Sequence, residues 1–478
     1  MSDNDNQFSI QIQGFNEGLS PLAHIDTKTF VGNKGQASEM KADVISLPGF
    51  LIQSPALANL TNGTQAGVVD QLIRFILDKP TAADITYAVG TTKLFKLSST
   101  TVTSGGSPSW PQAVTDMTEG ESVIRLKANL YTFFNKSSGG DIAKMPLDTE
   151  AIDPDWGSTT DEALEKAPHP SAVKEDIMVF GNGRYLGVYI EGSASLDVKK
   201  LDFGEGSEVA DVIFHSNIWW IAVNYGEGKQ GQVYMYDGSA ISNILSDEVA
   251  VGNQKIGFLY VQNGVVYLAY DDKSSVGFAI GWLNGRTIKP LRYFSGTLPN
   301  HRQKALYKNT LLFISDTDIF SVGAPVEQLP VQISKLADGG YATLGGMAAP
   351  FGTLMIASTE TTNFRLAKFS GYSTDSNWKS IIIDVTNDRD LGKINSVIVA
   401  TKALVGSAKA EITIEGNQGA VTSNTLTVTG VGLTRHVFTS IHMKPVEDIR
   451  IIVSFANGDT TNYCPIRKIT LLGSFVER

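Results

Sequence analysis

Acid, metal or nucleophilic chemistry in this chain would have to come from six histidines, one cysteine and 49 acidic residues. Their spacing argues against most of it. The closest histidines, His436 and His442, lie six apart in or beside one strand, which separates them by roughly 20 Å, too far to share a metal. His24, His169, His215 and His301 are scattered. No GxSxG elbow, HExxH, P-loop, CxxC pair or strand-following GxGxxG occurs. TNDRDLG sets Asp388, Asp390 and Gly392 as in the start of a calcium loop, but Arg389 divides the carboxylates and no closing Glu follows at the required distance. These residues predict a non-enzyme with no catalytic group, cofactor or metal.

The elements that would position any site are strands. The stretch 254–294 breaks into Lys255–Val261, Val265–Tyr270, Val276–Leu283 and Thr287–Phe294. Asn263-Gly264 joins the first two, as a two-residue hairpin needing positive φ requires, and Asn284-Gly285 joins the last two. One such meander cannot bury both faces alone, and copies stand on either side of it. With Tyr87, Tyr131, Leu186, Trp220, Tyr267, Leu312 and Met355 as equivalent centres, the steps are 44, 55, 34, 47, 45 and 43 residues. That period predicts a β-propeller of seven blades, to within one, over residues 81–370. A propeller glycosidase needs carboxylates converging on the central channel. The second strands here are apolar or carry Asn, Thr and Ser, and no sialidase-type Asp box repeats. Trp219, Trp220, Tyr234, Tyr236, Tyr260 and Tyr270 read as blade-to-blade core rather than a sugar platform.

Around the propeller, residues 1–80 read as an N-terminal arm and one helix. The arm begins with the alternating Phe8–Gln13, and Phe8 and Phe15 are its candidate contacts. Val68, Val69, Leu72, Ile73, Ile76 and Leu77 predict a mostly buried helix over 66–78, stopped by Pro80. The insertion 147–174 carries seven acidic residues around Trp156, which makes Trp156, Asp153 and Asp155 candidates for an interface anchored by the tryptophan. Beyond residue 380 the period is lost and seven strands predict a small C-terminal β-sandwich over 380–478. The lone Cys464 excludes an internal disulfide. A net charge of −10 over 478 residues gives no expectation of nucleic-acid binding. No run of apolar residues is long enough to span a membrane, and the first residues carry no Sec-type signal.

GFNEGLSPLAHID, followed by FVGNKGQASEM, the expected helix and KLFKLSS, resembles the N-terminal region of propeller-containing virion proteins of tailed bacteriophages. The resemblance implies a structural ring or peripheral domain in a tail, neck or nozzle, with a C-terminal sandwich that contacts neighbours or host glycans. It carries no catalytic residue across. The expectation is a non-enzymatic virion protein, made in the host cytoplasm, forming a homo-oligomer and meeting other virion proteins. The alternative is a glycan-binding adhesin or a glycosidase on the same propeller.

Overall fold

The computed structural model describes residues 7–13, 15, 24–25, 37–62, 65–66, 68–81, 85–104, 114, 116–193, 196–226, 231–243, 255–271, 277–322, 331–335, 342–360, 363–386, 390–455 and 460–477. Asp388 of the calcium-like stretch, and most of the two N-terminal stretches that carry the resemblance, lie outside the described residues. The chain divides into two compact units. The larger comprises residues 58–318 and 335–369, the smaller residues 1–57, 319–334 and 370–478.

The larger unit is a β-propeller. Its second strands are Thr86–Val89, Asn129–Lys136, Tyr185–Ile190, Ile218–Tyr225, Val265–Asp271, Thr310–Ser315 and Met355–Glu360, so each of the seven sequence centres falls in one. Its first strands are Phe75–Ile76, Glu119–Leu126, Ser171–Lys174, Ser207–His215, Ile256–Gln262, Lys304–Tyr307 and Leu344–Ala348. Each first strand packs on the next sheet, and the seventh packs back on the first, which closes the ring around the first strands. In the fifth blade Asn263 and Gly264 both have positive φ, 49° and 78°, the hairpin geometry that this dipeptide predicts. Between the third and fourth strands the turn residues are Gly285-Arg286, with Asn284 ending the strand. Trp219 packs with Phe214 and Tyr236 between the third and fourth blades, and Tyr270 and Trp220 join the core between the fourth and fifth.

The helix expected over 66–78 is not formed. Its described residues hold short strands instead: Val68–Val69 pairs with Phe364 and Arg365 of the seventh blade, and Phe75–Ile76 is the innermost strand of the first. The stretch thus runs from the seventh blade into the first, where the core shared with the seventh blade covers one of its sides and the core shared with the second covers the other. That is why apolar residues surround it, a pattern that periodicity reads as a buried helix. Closure adds two backbone bonds, from Leu60 to the Leu366 carbonyl at 3.0 Å and from Gly346 to the Ile73 carbonyl at 3.0 Å. Beside them Gly345 brings its backbone so close to Ile73 that a Cβ there would stand 2.1 Å from the carbonyl oxygen.

The long step of 55 residues also has a structural reason. The second blade has three strands, and the insertion covers the outer edge of Gly139–Pro146 through bridges from Asp153 to Lys144 and from Leu164 to Gly140. Trp156–Thr160 in the insertion is a single helical turn. Buried Asp141 holds it by accepting from the Ile142 and Ser158 amides and from the Ser158 hydroxyl at 2.7–2.9 Å.

The smaller unit is the β-sandwich. One sheet runs in the order Gln7–Gln13, Ile466–Glu477, Asp390–Thr401, Arg435–Phe438. The other pairs Asp448–Ser454 with Ala410–Gly416 on one side and with Asn377–Ser380 and Ile382–Asp384 on the other. Alternate residues are buried, including Val397, Val399, Ile469 and Leu471 in the first sheet and Ile412, Ile414, Ile451 and Val453 in the second. Gln7–Gln13 of the expected N-terminal arm is therefore a strand of this unit. Cys464 is buried within it, and burial pushes its thiol up to about 12.

Candidate functional site

The charged residues that the propeller brings together lie on its innermost strands. Four of these strands depart from regular pairing, at Gly120/Ser122, Val209/Asp211, Ile256/Phe258 and Leu344/Met347. Such irregularities bend a strand and re-aim its side chains. The first sets Glu121 and the second sets Asp211 among residues that are far away in sequence.

Glu121, 3% exposed, accepts from Asn135 Nδ2 at 3.1 Å on Oε1. Its Oε2 lies 3.4 Å from an Arg302 guanidinium nitrogen of the sixth blade. Arg74, beside the first blade's inner strand, stands 3.9 Å from Oε1, pairs with Glu119 and donates its Nε to the Gly120 carbonyl at 3.0 Å. Two carboxylates and two guanidinium groups thus close on one another. Burial raises the Glu121 carboxyl to about 7 against the opposing pull of Arg302 and then Arg74. Burial likewise lowers Arg302, with Glu121 opposing.

Asp211 forms the second knot. Its Oδ2 accepts from Lys304 and from the Leu259 amide at 2.7 Å, and its Oδ1 accepts from the Val212 amide at 2.9 Å. Lys304 Nζ also donates to the Leu259 carbonyl at 2.6 Å, so one ammonium ties the inner strands of the fourth, fifth and sixth blades. Burial raises Asp211 and lowers Lys304, and each opposes the other's shift.

Two of the scattered histidines belong to the same interior. His169 Nδ1 donates to the Gly181 carbonyl at 2.9 Å, and burial holds the ring down to about 4. His301 lies beside Phe75, with ring centres 6.2 Å apart, and burial followed by the charges of Arg302 and Lys304 depresses it well below its ordinary value. Both rings are neutral core groups at pH 7, in keeping with the scatter of histidines in the sequence.

The sequence-derived contact residues do not come together. Phe15 is 1% exposed and meets Trp378 edge-on at 5.3 Å, which makes it a core residue of the sandwich. Phe8, half-buried, lies 5.2 Å from the Phe475 ring. Trp156 is half-buried between Tyr131 and Tyr189, 5.0 Å from each ring, with Lys144 Nζ 5.4 Å above it. Asp155 pairs with Lys136 at 2.8 Å, and Asp153 is exposed. The tryptophan thus fastens the insertion to the second and third blades. Trp156→Ala should lower stability by about 2 kcal/mol, for a half-buried aromatic, read as a shifted urea midpoint with unchanged slope.

No known family and no curated protein matches the chain. Solved structures resemble it loosely. The AfRom2 CNH domain is 12% identical, covering 67% of this chain and 100% of that one, with a TM-score of 0.43. The aldose sugar dehydrogenase of Streptomyces coelicolor, with PQQ bound, is 9% identical over 66% and 97%, at 0.38. An exo-β-1,3-galactanase of Phanerochaete chrysosporium is 10% identical over 88% and 99%, at 0.30.

Among the described residues no cluster of His, Cys, Asp and Glu could hold a metal ion, and no helix is long and apolar enough to cross a membrane. In the sequence any inner-strand Asp or Glu could face the channel, and nothing there singles out Glu121, Asp211, Arg302 and Lys304. Each of the four lies in or just before a first strand.

Proposed function

We propose that the chain is a non-enzymatic structural protein of a tailed-phage particle, acting through protein contacts in a symmetric assembly. One observation carries the non-enzymatic part: Glu121 and Asp211, the buried carboxylates of the inner strands, are each engaged by a cation from another blade. A retaining or inverting glycosidase needs two carboxyl groups free to face one bond. Here the inner charges join blades to one another. The phage part is supported by the resemblance of GFNEGLSPLAHID and FVGNKGQASEM to virion proteins, and it places the chain in the virion with other virion proteins as neighbours. Host glycan contact through the sandwich belongs to the same reading.

One observation favours the alternative, a carbohydrate-active propeller: a carboxyl raised to about 7, as Glu121 is, suits a general acid. The two readings separate in a paired experiment. Purified particles are probed for the chain as a multicopy band, and the purified chain is given a glycan array and a reducing-sugar assay. A particle band with both assays blank is expected. Sugar release that Glu121→Gln abolishes, from a chain missing from particles, would reverse the conclusion.

A further inference from the structure

The outer strands of the larger unit share a property that one strand of the smaller unit lacks. Val102–Ser104 and Ile241–Asn243 are three residues long. Leu196–Asp202 carries Asp197, Lys199 and Lys200 and pairs irregularly with its neighbour, and Thr287–Ser295 carries Pro290 and an irregularity of its own. The edge of Gly139–Pro146 is covered by the insertion. Shortness, charge, proline, bulges and covers are the devices that keep an open strand edge from recruiting another chain. In the sandwich, Arg435–Phe438 is short and carries Arg435.

Gln7–Gln13, at the other edge of that sheet, has none of these devices. It runs for seven residues, QFSIQIQ, paired with Gln13↔Lys468 through Gln7↔Ser474 without a register shift. It contains no charge, proline or glycine. Among the described residues no strand pairs with its outer side. Its pattern also matches itself in reverse. Set antiparallel about Ile10, Phe8 falls opposite Ile12, Ser9 opposite Gln11 and Ile10 opposite Ile10, so apolar meets apolar on one face and polar meets polar on the other. Phe8 and Ile10 are half-buried, and a second strand would cover them.

We propose that Gln7–Gln13 is a self-association seam: it pairs antiparallel with the same strand of a second copy across a two-fold axis, joining two four-stranded sheets into one of eight. This gives an isologous contact, in which residue 9 of each copy faces residue 11 of the other. It rests on the reading of the chain as an assembly subunit and adds which surface assembles and with what.

The register allows a test by charge. Ser9 and Gln11 lie on the exposed face of the strand, so substitution there leaves the core intact. Light scattering on the full chain should give twice the 51.5 kDa chain mass. S9K/Q11K sets lysine against lysine twice and should weaken association by about tenfold or more. S9K/Q11E has the same number of substitutions but sets lysine against glutamate twice, and should associate at least as well as the natural sequence. S9K/Q11K mixed with S9E/Q11E should restore the pair. Thermal melting of each variant verifies that it is folded. A natural chain that is monomeric throughout, or association that ignores the arrangement of charges, overturns the seam. Neither result touches the assembly reading, which the particle band and sugar assays decide separately.

Discussion

Lys304→Met should lower the stability of the propeller by about 3–5 kcal/mol, while adding Asp211→Asn to it should recover a large part of the loss. The asymmetry follows from what each change leaves behind. Lys304 is 13% exposed and Asp211 3%. Removing the ammonium strands a carboxylate in the interior and leaves the Leu259 carbonyl without its donor at 2.6 Å. Asp211 retains the Leu259 and Val212 amides, but two neutral donors do not offset a buried charge. Asparagine keeps an acceptor for these amides and carries no charge. Urea unfolding at pH 7 of the two single variants and the double variant closes the cycle. Equal and additive losses would show that the pair is not coupled and that Lys304 acts only through its packing.

The knots also show how much of the molecule is legible in the chain. Blade number and strand position are local properties: each second strand is a short apolar run behind a turn, and all seven centres are found in such strands. The sandwich follows from the same alternation. What joins blades is non-local. Glu121 meets Arg302 across 181 residues and Asp211 meets Lys304 across 93, and no periodicity links partners that only ring closure brings together. The helix expected over 66–78 fails for the same reason, since burial on one side against the seventh blade and on the other against the second resembles burial around a helix. Phe15 and Trp156 had the composition of contact residues, but Trp378 in one case and Tyr131 with Tyr189 in the other already cover them within the same chain.

Arg302→Met should cost more stability at pH 8 than at pH 5, about 3 kcal/mol against 1 or less. Glu121 sets the direction. Its folded value, about 7, lies above its ordinary 4.5, so the folded chain holds a proton that the unfolded chain has released between those values. Such a group's stabilising contribution is fully present below about pH 4.5 and is lost as pH rises through about 7. In the natural chain Arg302 limits that loss by favouring the ionised form. Without it the nearest cation is Arg74, 3.9 Å from the other oxygen, the carboxyl rises further, and the penalty extends to higher pH. His169 titrates in the opposite sense, because its folded value is depressed to about 4, and acidification through that range destabilises the natural chain and the variant alike. It therefore cancels in the difference. His301 does not cancel fully, since Arg302 contributes to its depression, but relieving that also makes the variant less costly in acid. Glu121→Gln with Arg302→Met isolates the carboxylate: a pH-dependent difference for Arg302→Met that the double variant lacks assigns it to Glu121. A difference independent of pH would mean that the Arg302 side chain joins the blades by packing, not by charge.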